Sequence, residues 1–557
     1  MSLRPEEAAF GLSASNEGVR EPPRSLGGIV RSLGPGLIIA GAIVGSGELI
    51  ATTKTGAQAG ISLLWLIILG CLVKVFVQIE LGRFAVSHGE TTLLSLDRVP
   101  GPRLLGLNWV LWIWLVMMIS TTGQLGGIVG GVGQAMALAF PIRGDYERAV
   151  KLPGRDEFLR LIELERTGSE APALSALHKR ITEARSIGPE SSAIIDEVSD
   201  RLRRNPDDDL LDAETRQELL EPKTYDDVLW AGLIAVVTSV LLYFGRYGLI
   251  QNISIALVAT FTLITIGNVI SLQSTEQFAL SGSEILDGFR FRAPPKIGDQ
   301  NPWVTALAAF GIIGVGATEL ITYPYWCLEK GYAKFAGRND GSSDWARRAR
   351  GWIHVMKYDA FASMVVYTTA TLAFFWMGVA VLHRQGLDPS GMRMVATLAE
   401  TYVPVFGEYA KWLFLGGAFA VLYSTYLIAT AGNARMVSDG LRVARLIDRD
   451  NPVTYRRVLT AWSVGLPLLC FVIFTSGVDP VTLILIAGLT QAVMLPVLGI
   501  SSIYFRYRLT DKQLRPGPAW DACLLLSSLA LLVAGAYGVY AKLSAEGVFT
   551  WLAGPGS

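Results

Sequence analysis

Two glutamates lie inside strongly apolar segments, and each follows a pair of glycines. Residues 41–60 read GAIVGSGELIATTKTGAQAG and contain Glu48, while residues 311–325 read GIIGVGATELITYPY and contain Glu319. A carboxylate in hydrocarbon has to be protonated, paired or bound to a cation, because an isolated charge there is costly. The residue types therefore indicate a cation site, and the alternative is that one or both acids bridge helices as protonated hydrogen-bond donors.

The composition places this chemistry in a membrane. Of the 557 residues 51% are hydrophobic and only 17% are charged, and the mean hydropathy is +0.40. Most of the apolar runs reach the roughly 20 residues that a helix needs to cross a bilayer. Long continuous runs exclude a transmembrane β-barrel. Eleven spans are predicted, at residues 33–54, 60–86, 107–140, 228–245, 248–272, 302–327, 352–382, 409–433, 457–476, 479–505 and 520–541.

The two glutamates occupy equivalent places in this order of spans. Each lies in the middle of the first helix of a five-helix half, spans 1–5 or spans 6–10. Such symmetry is typical of inverted-repeat transporters, in which the first helix of each half is broken near the midplane and the breaks form the substrate site. We therefore predict an all-α polytopic membrane protein with a five-plus-five inverted repeat and an added eleventh helix.

Charge patterning predicts the orientation and the domains. Lys and Arg are concentrated in alternate short loops, which favours a cytoplasmic N-terminus in the cell membrane. Residues 142–226 are charged with helix-like spacing of Leu and Ile, and this orientation makes them an extracytoplasmic helical insertion. The predicted domains are an N-terminal tail (1–32), spans 1–3 (33–141), the insertion (142–226), spans 4–11 (227–545) and a C-terminal tail (546–557).

Other activities find little support in the sequence. There is no phosphate-binding Gly-Lys-Ser/Thr loop, and the four cysteines and four histidines lack metal-site spacing. A formal net charge of zero gives no reason to expect nucleic acid as a partner. We expect no enzyme activity and no cofactor; the expected partners are the lipid bilayer and a metal-ion substrate, and the oligomeric state is left open.

We expect Glu48 and Glu319 to face one another across a small polar cavity, where they would suit a hard divalent ion. Further polar residues in the spans either line the path or form interhelical hydrogen bonds. These residues are Thr122, Thr318, Tyr323, Ser424, Thr425 and Gln491.

Several motifs resemble the Nramp family of metal-ion transporters, which has the LeuT-type fold. They are GPG at 34–36, TGAQAGISLLW at 55–65, LGR with VSHG at 81–89, and YSTYLIATAGNARMVSDG at 423–440. The metal motifs differ: the family's Asp-Pro-Gly-Asn is replaced by residues 45–48, Gly-Ser-Gly-Glu, and its Met-Pro-His-Asn by residues 320–323, Leu-Ile-Thr-Tyr.

The resemblance implies a limited set of ligands. Gly45 and Ala317 would offer carbonyl oxygens, Glu48 would replace the family's Asn ligand, and Leu320 lacks the thioether that favours transition metals. By analogy with LeuT-type carriers, the hydroxyls of Ser424 and Thr425 would hold Na⁺.

Two functions are consistent with these residues. The first is secondary transport of a hard divalent ion such as Mg²⁺ or Mn²⁺ by alternating access, with H⁺ or Na⁺ as the coupling ion. The alternative is a Na⁺- or H⁺-coupled symporter of a small organic solute such as an amino acid.

Overall fold

The structure is a computed structural model, and it describes residues 18–166, 172–204, 222–244, 247–294, 302–448 and 451–545. Nine helical stretches in these ranges are long and apolar enough to cross a membrane. The first, Pro35–His88, has 54 residues and contains predicted spans 1 and 2, while the shorter apolar helix Ala259–Leu272 lies in predicted span 5. All eleven predicted spans are therefore helical, and the prediction of an all-α polytopic membrane protein is confirmed.

Three of the spans are composed of more than one helix in a way that matters for the site. Span 1 is divided into Pro35–Ile43 and a second part that starts with a wide π-helical turn, and span 6 is divided into Pro302–Ile312 and Ala317–Lys330. Span 2 is interrupted for one residue at Val73, between Leu64–Leu72 and Lys74–His88. The helices of the spans are Pro35–Ile43, Ser46–Thr52 and Thr53–Ala59 (span 1); Gly60–Leu63, Leu64–Leu72 and Lys74–His88 (2); Trp109–Ala139 (3); Asp226–Phe244 (4); Tyr247–Leu272 (5); Pro302–Ile312 and Ala317–Lys330 (6); Ser343–Met377 and Gly378–His383 (7); Ala410–Val443 (8); Pro452–Phe474 (9); Pro480–Tyr504 and Phe505–Leu509 (10); and Pro518–Ala545 (11).

Short elements connect the spans. Strands Arg103–Leu104 and Leu107–Asn108 form an antiparallel hairpin before span 3. The other helices are Leu26–Ser32, Thr92–Leu96, Asp145–Val150, Arg155–Arg166, Pro172–Arg185, Pro189–Arg204, Gly282–Asp287, Tyr332–Ala336, Gly391–Arg393, Met394–Ala399, Val403–Phe406, Gly407–Tyr409 and Lys512–Leu514.

The described part of the predicted insertion contains four of these helices, and it packs on the segment between spans 7 and 8. Arg393 of that segment donates a hydrogen bond from Nε to the Leu152 carbonyl at 2.6 Å. Arg180 of the insertion lies 2.5 Å from Glu157 and 3.8 Å from Glu400. The same segment also reaches span 1, where Lys54 forms a 2.6 Å ion pair with Asp388. The extracytoplasmic location of the insertion remains a prediction.

The start of span 1 lies at the end of the bundle opposite the insertion, and we call this end the entry side. Spans 6 and 7 bind the start of span 1 there. Asp359 of span 7 accepts hydrogen bonds from the amides of Gly34, at 2.8 Å, and Gly36. Tyr323 of span 6 donates to the same carboxylate at 3.3 Å, and Lys330 donates to the Leu33 carbonyl at 3.0 Å.

Span 6 is also joined to span 8 on the entry side. Glu329 forms a buried ion pair with Arg435, and Tyr325 donates a 2.6 Å hydrogen bond to Asp439. The second halves of spans 1 and 6 thus have different contacts. The second half of span 1 binds the segment between spans 7 and 8, next to the insertion, whereas the second half of span 6 binds span 8.

Candidate functional site

The break in span 1 lies at Val44 and Gly45, directly before the helical turn that carries Glu48. Gly45 packs against Thr425 of span 8 so closely that a Cβ on residue 45 would overlap the Thr425 hydroxyl. The hydroxyls of Ser424 and Thr425 donate to the carbonyl of Gly41, at 3.1 and 3.4 Å, near the end of the first half-helix. Glycine at position 45 therefore allows span 8 to reach the broken backbone of span 1.

The break in span 6 covers residues 313–316. Gly314 has a φ of +58°, in the left-handed region that favours glycine, and a Cβ there would lie 3.0 Å from Cα of Cys71 in span 2. A Cβ on Gly316 would lie 2.7 Å from Oε1 of Gln491 and would also overlap the Glu319 carboxylate. These glycines allow spans 2 and 10 to approach the break.

A small cavity lies between the two breaks. Its volume is about 20 Å³, which is room for one or two waters or a single ion. Spans 1, 3, 6, 8 and 10 contribute its walls. The lining residues are Ala42, Ile43, Ser46, Gly47, Thr121, Gln124, Leu125, Ile128, Ile312, Thr318, Glu319, Thr425, Ala429, Asn433 and Gln491.

A chain of hydrogen bonds crosses this cavity and joins the two breaks. The Thr318 amide, at the start of the second half of span 6, donates to Gln491 Oε1 at 3.2 Å. Gln491 Nε2 donates to Gln124 Oε1 at 3.0 Å, and Gln124 Nε2 donates to the Ser46 hydroxyl at 3.3 Å. Gln491 therefore lines the cavity and also connects helices, while its role in a transport path stays a prediction.

Other oxygens of the cavity have no such partner. Glu319 is the one ionisable residue among the described lining residues, and its carboxylate forms no hydrogen bond or ion pair with another described residue. Buried Thr318 Oγ1 and Asn433 Oδ1 also lack hydrogen-bond partners within the described part of the chain. Unsatisfied buried oxygens are costly, so this arrangement suits a bound cation or ordered water.

Glu48 is placed differently from our expectation. It is fully buried, but it does not line the cavity, and its Oε1 accepts hydrogen bonds from the Gly314 amide and from Thr371 of span 7, both at 3.1 Å. The expected site with two acids facing one another is corrected to a cavity whose described lining contains one acid, Glu319. Glu48 instead binds the backbone of the opposite break.

Sequence reasoning missed Lys74, which is also fully buried, at the start of the second helix of span 2. Its ammonium donates to the carbonyls of Phe310 and Ile313 at the end of the first half of span 6. A lysine inside the apolar run 60–86 was the signal that could have identified it. A cationic group therefore lies beside the break in span 6.

The remaining predicted residues lie around the cavity rather than in it. Gly45 and Ala317 are buried at the breaks but are not among the lining residues. Thr122 donates to the Met118 carbonyl of its own helix at 2.9 Å, and Tyr323 donates to Met356 and Asp359. Sequence analysis also missed Ser46 and Asn433 as lining residues.

Soft ligands are absent from the described lining of the cavity, which contains no Met, Cys or His. Leu320, the counterpart of the family's methionine, is buried but does not line the cavity. The described residues also contain no cluster of three or more His, Cys, Asp or Glu side chains that could hold a metal ion. A cation in this cavity would be bound by one carboxylate and by neutral oxygens.

The described residues contain eleven helical spans, two of them broken at glycines around a polar cavity, and this arrangement is typical of membrane transporters. A sequence model of the family described as natural resistance-associated macrophage protein-like, or Nramp, matches residues 223–541. The chain therefore belongs to the Nramp family of metal-ion transporters, and it is a transporter and not an enzyme. The match begins after the insertion, so that Glu48 and Lys74 lie outside it.

Solved structures support the fold over nearly the whole chain. A manganese transporter of Eremococcus coleocola, in complex with an aromatic bis-isothiourea substituted compound, has a TM-score of 0.60 at 14% identity, covering 97% of this chain and 92% of that one. A mutant of the same transporter gives a TM-score of 0.59 at 15% identity with the same coverage. At such identity the likeness is one of fold. No curated protein matches the sequence.

Proposed function

We propose that this protein carries a hard divalent metal ion, such as Mg²⁺ or Mn²⁺, across the cell membrane by alternating access around the cavity between spans 1 and 6. The observation that carries the proposal is the Glu319 carboxylate, which enters the cavity without a hydrogen bond or ion pair to another described residue. Membership of a metal-transporting family supports the choice of a metal as the substrate.

The ligand chemistry supports a hard ion. Glu319, Thr318 Oγ1 and Asn433 Oδ1 offer oxygens that lack hydrogen-bond partners among the described residues. Oxygen ligands suit Mg²⁺, Mn²⁺ and Ca²⁺, whereas thioether and thiolate ligands select softer metals. One carboxylate and several neutral oxygens also fit an ion that retains part of its water shell, as Mg²⁺ does.

The size of the cavity favours an ion over an organic solute. A volume of about 20 Å³ accepts a metal ion with a water, whereas ligand pockets for organic molecules usually measure several hundred Å³. The alternative of amino-acid symport would require this cavity to widen considerably. Ser424 and Thr425 contact the Gly41 carbonyl directly, so the proposed Na⁺ site would also require these hydrogen bonds to open.

The orientation and the coupling ion complete the proposal. A cytoplasmic N-terminus follows from the distribution of Lys and Arg among the short loops. Coupling to H⁺ or Na⁺ follows from the transporter class and can be measured with the same vesicles.

The experiment is uptake into reconstituted vesicles, with Mn²⁺, Mg²⁺, Cd²⁺ and a panel of amino acids as substrates. We expect uptake of Mn²⁺ and competition by millimolar Mg²⁺. Glu319→Gln should weaken Mn²⁺ binding by at least about tenfold, because it removes the one charged group among the described lining residues. The exposed Glu276→Gln, in the turn after span 5, is the matched control and should bind Mn²⁺ as the wild type does.

Two results would overturn the proposal. One is Mn²⁺ affinity that is the same in Glu319→Gln and in the wild type. The other is transport of an amino acid without uptake of any metal on the panel.

A further inference from the structure

The backbone of span 6 is interrupted at one particular hydrogen bond. In a continuous helix the Gly314 amide would donate to the Phe310 carbonyl, four residues earlier. Here the Gly314 amide donates to Glu48 of span 1, and the Phe310 carbonyl accepts from Lys74 of span 2. An acid and a base from two other helices have thus replaced the two halves of one helical hydrogen bond.

The same two side chains also hold one peptide group from both ends. Lys74 donates to the Ile313 carbonyl at 2.8 Å, and Glu48 accepts from the amide of Gly314 at 3.1 Å. The Ile313 carbonyl and the Gly314 amide belong to one peptide bond, and in a trans peptide they point in opposite directions. Lys74 and Glu48 therefore bind this peptide group at its two opposite edges.

The ammonium of Lys74 occupies a place that suits a cation. Carbonyls at the end of a half-helix carry the negative end of its dipole, and in transporters with broken helices such carbonyls coordinate ions. The face of the Phe310 ring, whose centroid lies 4.8 Å from Nζ, adds a further favourable contact. Ile312, which lies between Phe310 and Ile313 in the sequence, lines the same cavity as Glu319, so Lys74 is bound to backbone that borders this cavity.

We propose that Lys74 and Glu48 are a pair of positioning residues that keep span 6 broken, and that Lys74 is a built-in cation which limits the affinity of the neighbouring site for the transported ion. The three charged residues at the centre of the protein thus have different roles. Glu48 binds the backbone of span 6, Lys74 neutralises the negative end of the first half of span 6, and Glu319 remains available to the substrate. The affinity part rests on the proposed function, whereas the positioning part does not.

The first experiment measures affinity. Lys74→Gln removes a positive charge that repels a cation at Glu319, so it should tighten Mn²⁺ binding, by roughly tenfold, while it slows uptake. A purely structural role for Lys74 predicts weaker binding instead. Lys74→Arg keeps the charge and should bind Mn²⁺ within about twofold of the wild type. Lys357→Gln, which removes a lysine that lies over the Trp520 ring, is the control and should leave the affinity unchanged.

The second experiment needs no metal. The melting temperatures of Lys74→Gln, Glu48→Gln and the double variant form a double-mutant cycle in detergent without divalent ions. Because both side chains hold one peptide bond, the loss in the double variant should be clearly smaller than the sum of the two single losses.

The outcomes separate the two proposals. Additive losses of melting temperature overturn the positioning pair, whatever the protein transports. If the wild type binds Mn²⁺ and Lys74→Gln binds it with the same or lower affinity, the role of Lys74 in affinity is overturned. Failure of the wild type to bind any divalent ion counts against the proposed function, and the metal-free cycle then still decides the positioning role.

Discussion

Replacement of Gly45 by alanine tests whether transport depends on the close contact between the break in span 1 and span 8. A Cβ on residue 45 would lie 2.6 Å from Cβ and 3.0 Å from Cγ2 of Thr425, and would overlap its hydroxyl. Atoms that do not fit into a packed interior cost about 1–3 kcal/mol, because neighbouring groups have to shift. The present arrangement of spans 1 and 8 should therefore become about 5- to 160-fold less populated relative to conformations in which the two spans are apart.

The assay combines Mn²⁺ uptake with the melting temperature of the same preparation. We expect Gly45→Ala to reduce the initial rate of uptake at least about fivefold and to lower the melting temperature only modestly, since a more helical span 1 remains stable in lipid. The control is Gly416→Ala in span 8, where an added Cβ meets no atom within 4 Å, and its uptake should be normal. Adding Thr425→Gly to Gly45→Ala removes the overlapping atoms and should restore part of the uptake.

Three results would refute this reasoning. Normal uptake by Gly45→Ala would show that the contact is dispensable. A parallel loss of uptake and melting temperature would indicate a packing defect without a specific effect on transport. Uptake that Thr425→Gly does not restore would show that the overlap with Thr425 is not the cause.

Two further predictions concern selectivity and stability. Ile312→Met adds a thioether to the cavity wall and should raise Cd²⁺ uptake relative to Mg²⁺ uptake. Leu320→Met, at a buried position outside the lining, should not change this ratio. Equal selectivity of the two variants in vesicle uptake would contradict the assignment of Ile312 to the cavity wall. Asp388→Asn leaves the buried Lys54 ammonium without its charged partner and should destabilise the protein by about 3–5 kcal/mol in a thermal-unfolding assay. Asp287→Asn, which removes one partner of an exposed ion pair, should destabilise it by less than about 1 kcal/mol. Similar losses of stability in the two variants would contradict the importance of burial.

The fold could be predicted well because its main signals are long and repeated. A span of about 20 apolar residues is recognisable without any knowledge of its neighbours, and the glycines before Glu48 and Glu319 marked both breaks. The broken helices follow from local chemistry, since Gly314 adopts a φ of +58° that other residues rarely adopt.

The site was harder to predict because it depends on the side of each helix from which a side chain projects. Glu48 directly follows its second glycine, whereas Ala317 and Thr318 separate Glu319 from Gly316. Two residues correspond to about 200° of rotation around a helix, so similar motifs place their acids on different sides. Lys74 was missed because it contacts backbone carbonyls more than 230 residues away, and no pattern within span 2 reveals such a partner.

The attachments on the entry side determine which parts of the bundle are able to move as a unit. The start of span 1 is bound by Asp359 of span 7 and by Lys330 of span 6, and Tyr323 links those two spans. A hinge motion of the first half of span 1 alone has to break all the contacts with Asp359 and Lys330. If this half-helix moves together with span 7 and the second half of span 6, these contacts are kept, and the bonds to span 8 have to open instead. They are the ion pair between Glu329 and Arg435, the Tyr325–Asp439 hydrogen bond and the hydrogen bonds from Ser424 and Thr425 to the Gly41 carbonyl.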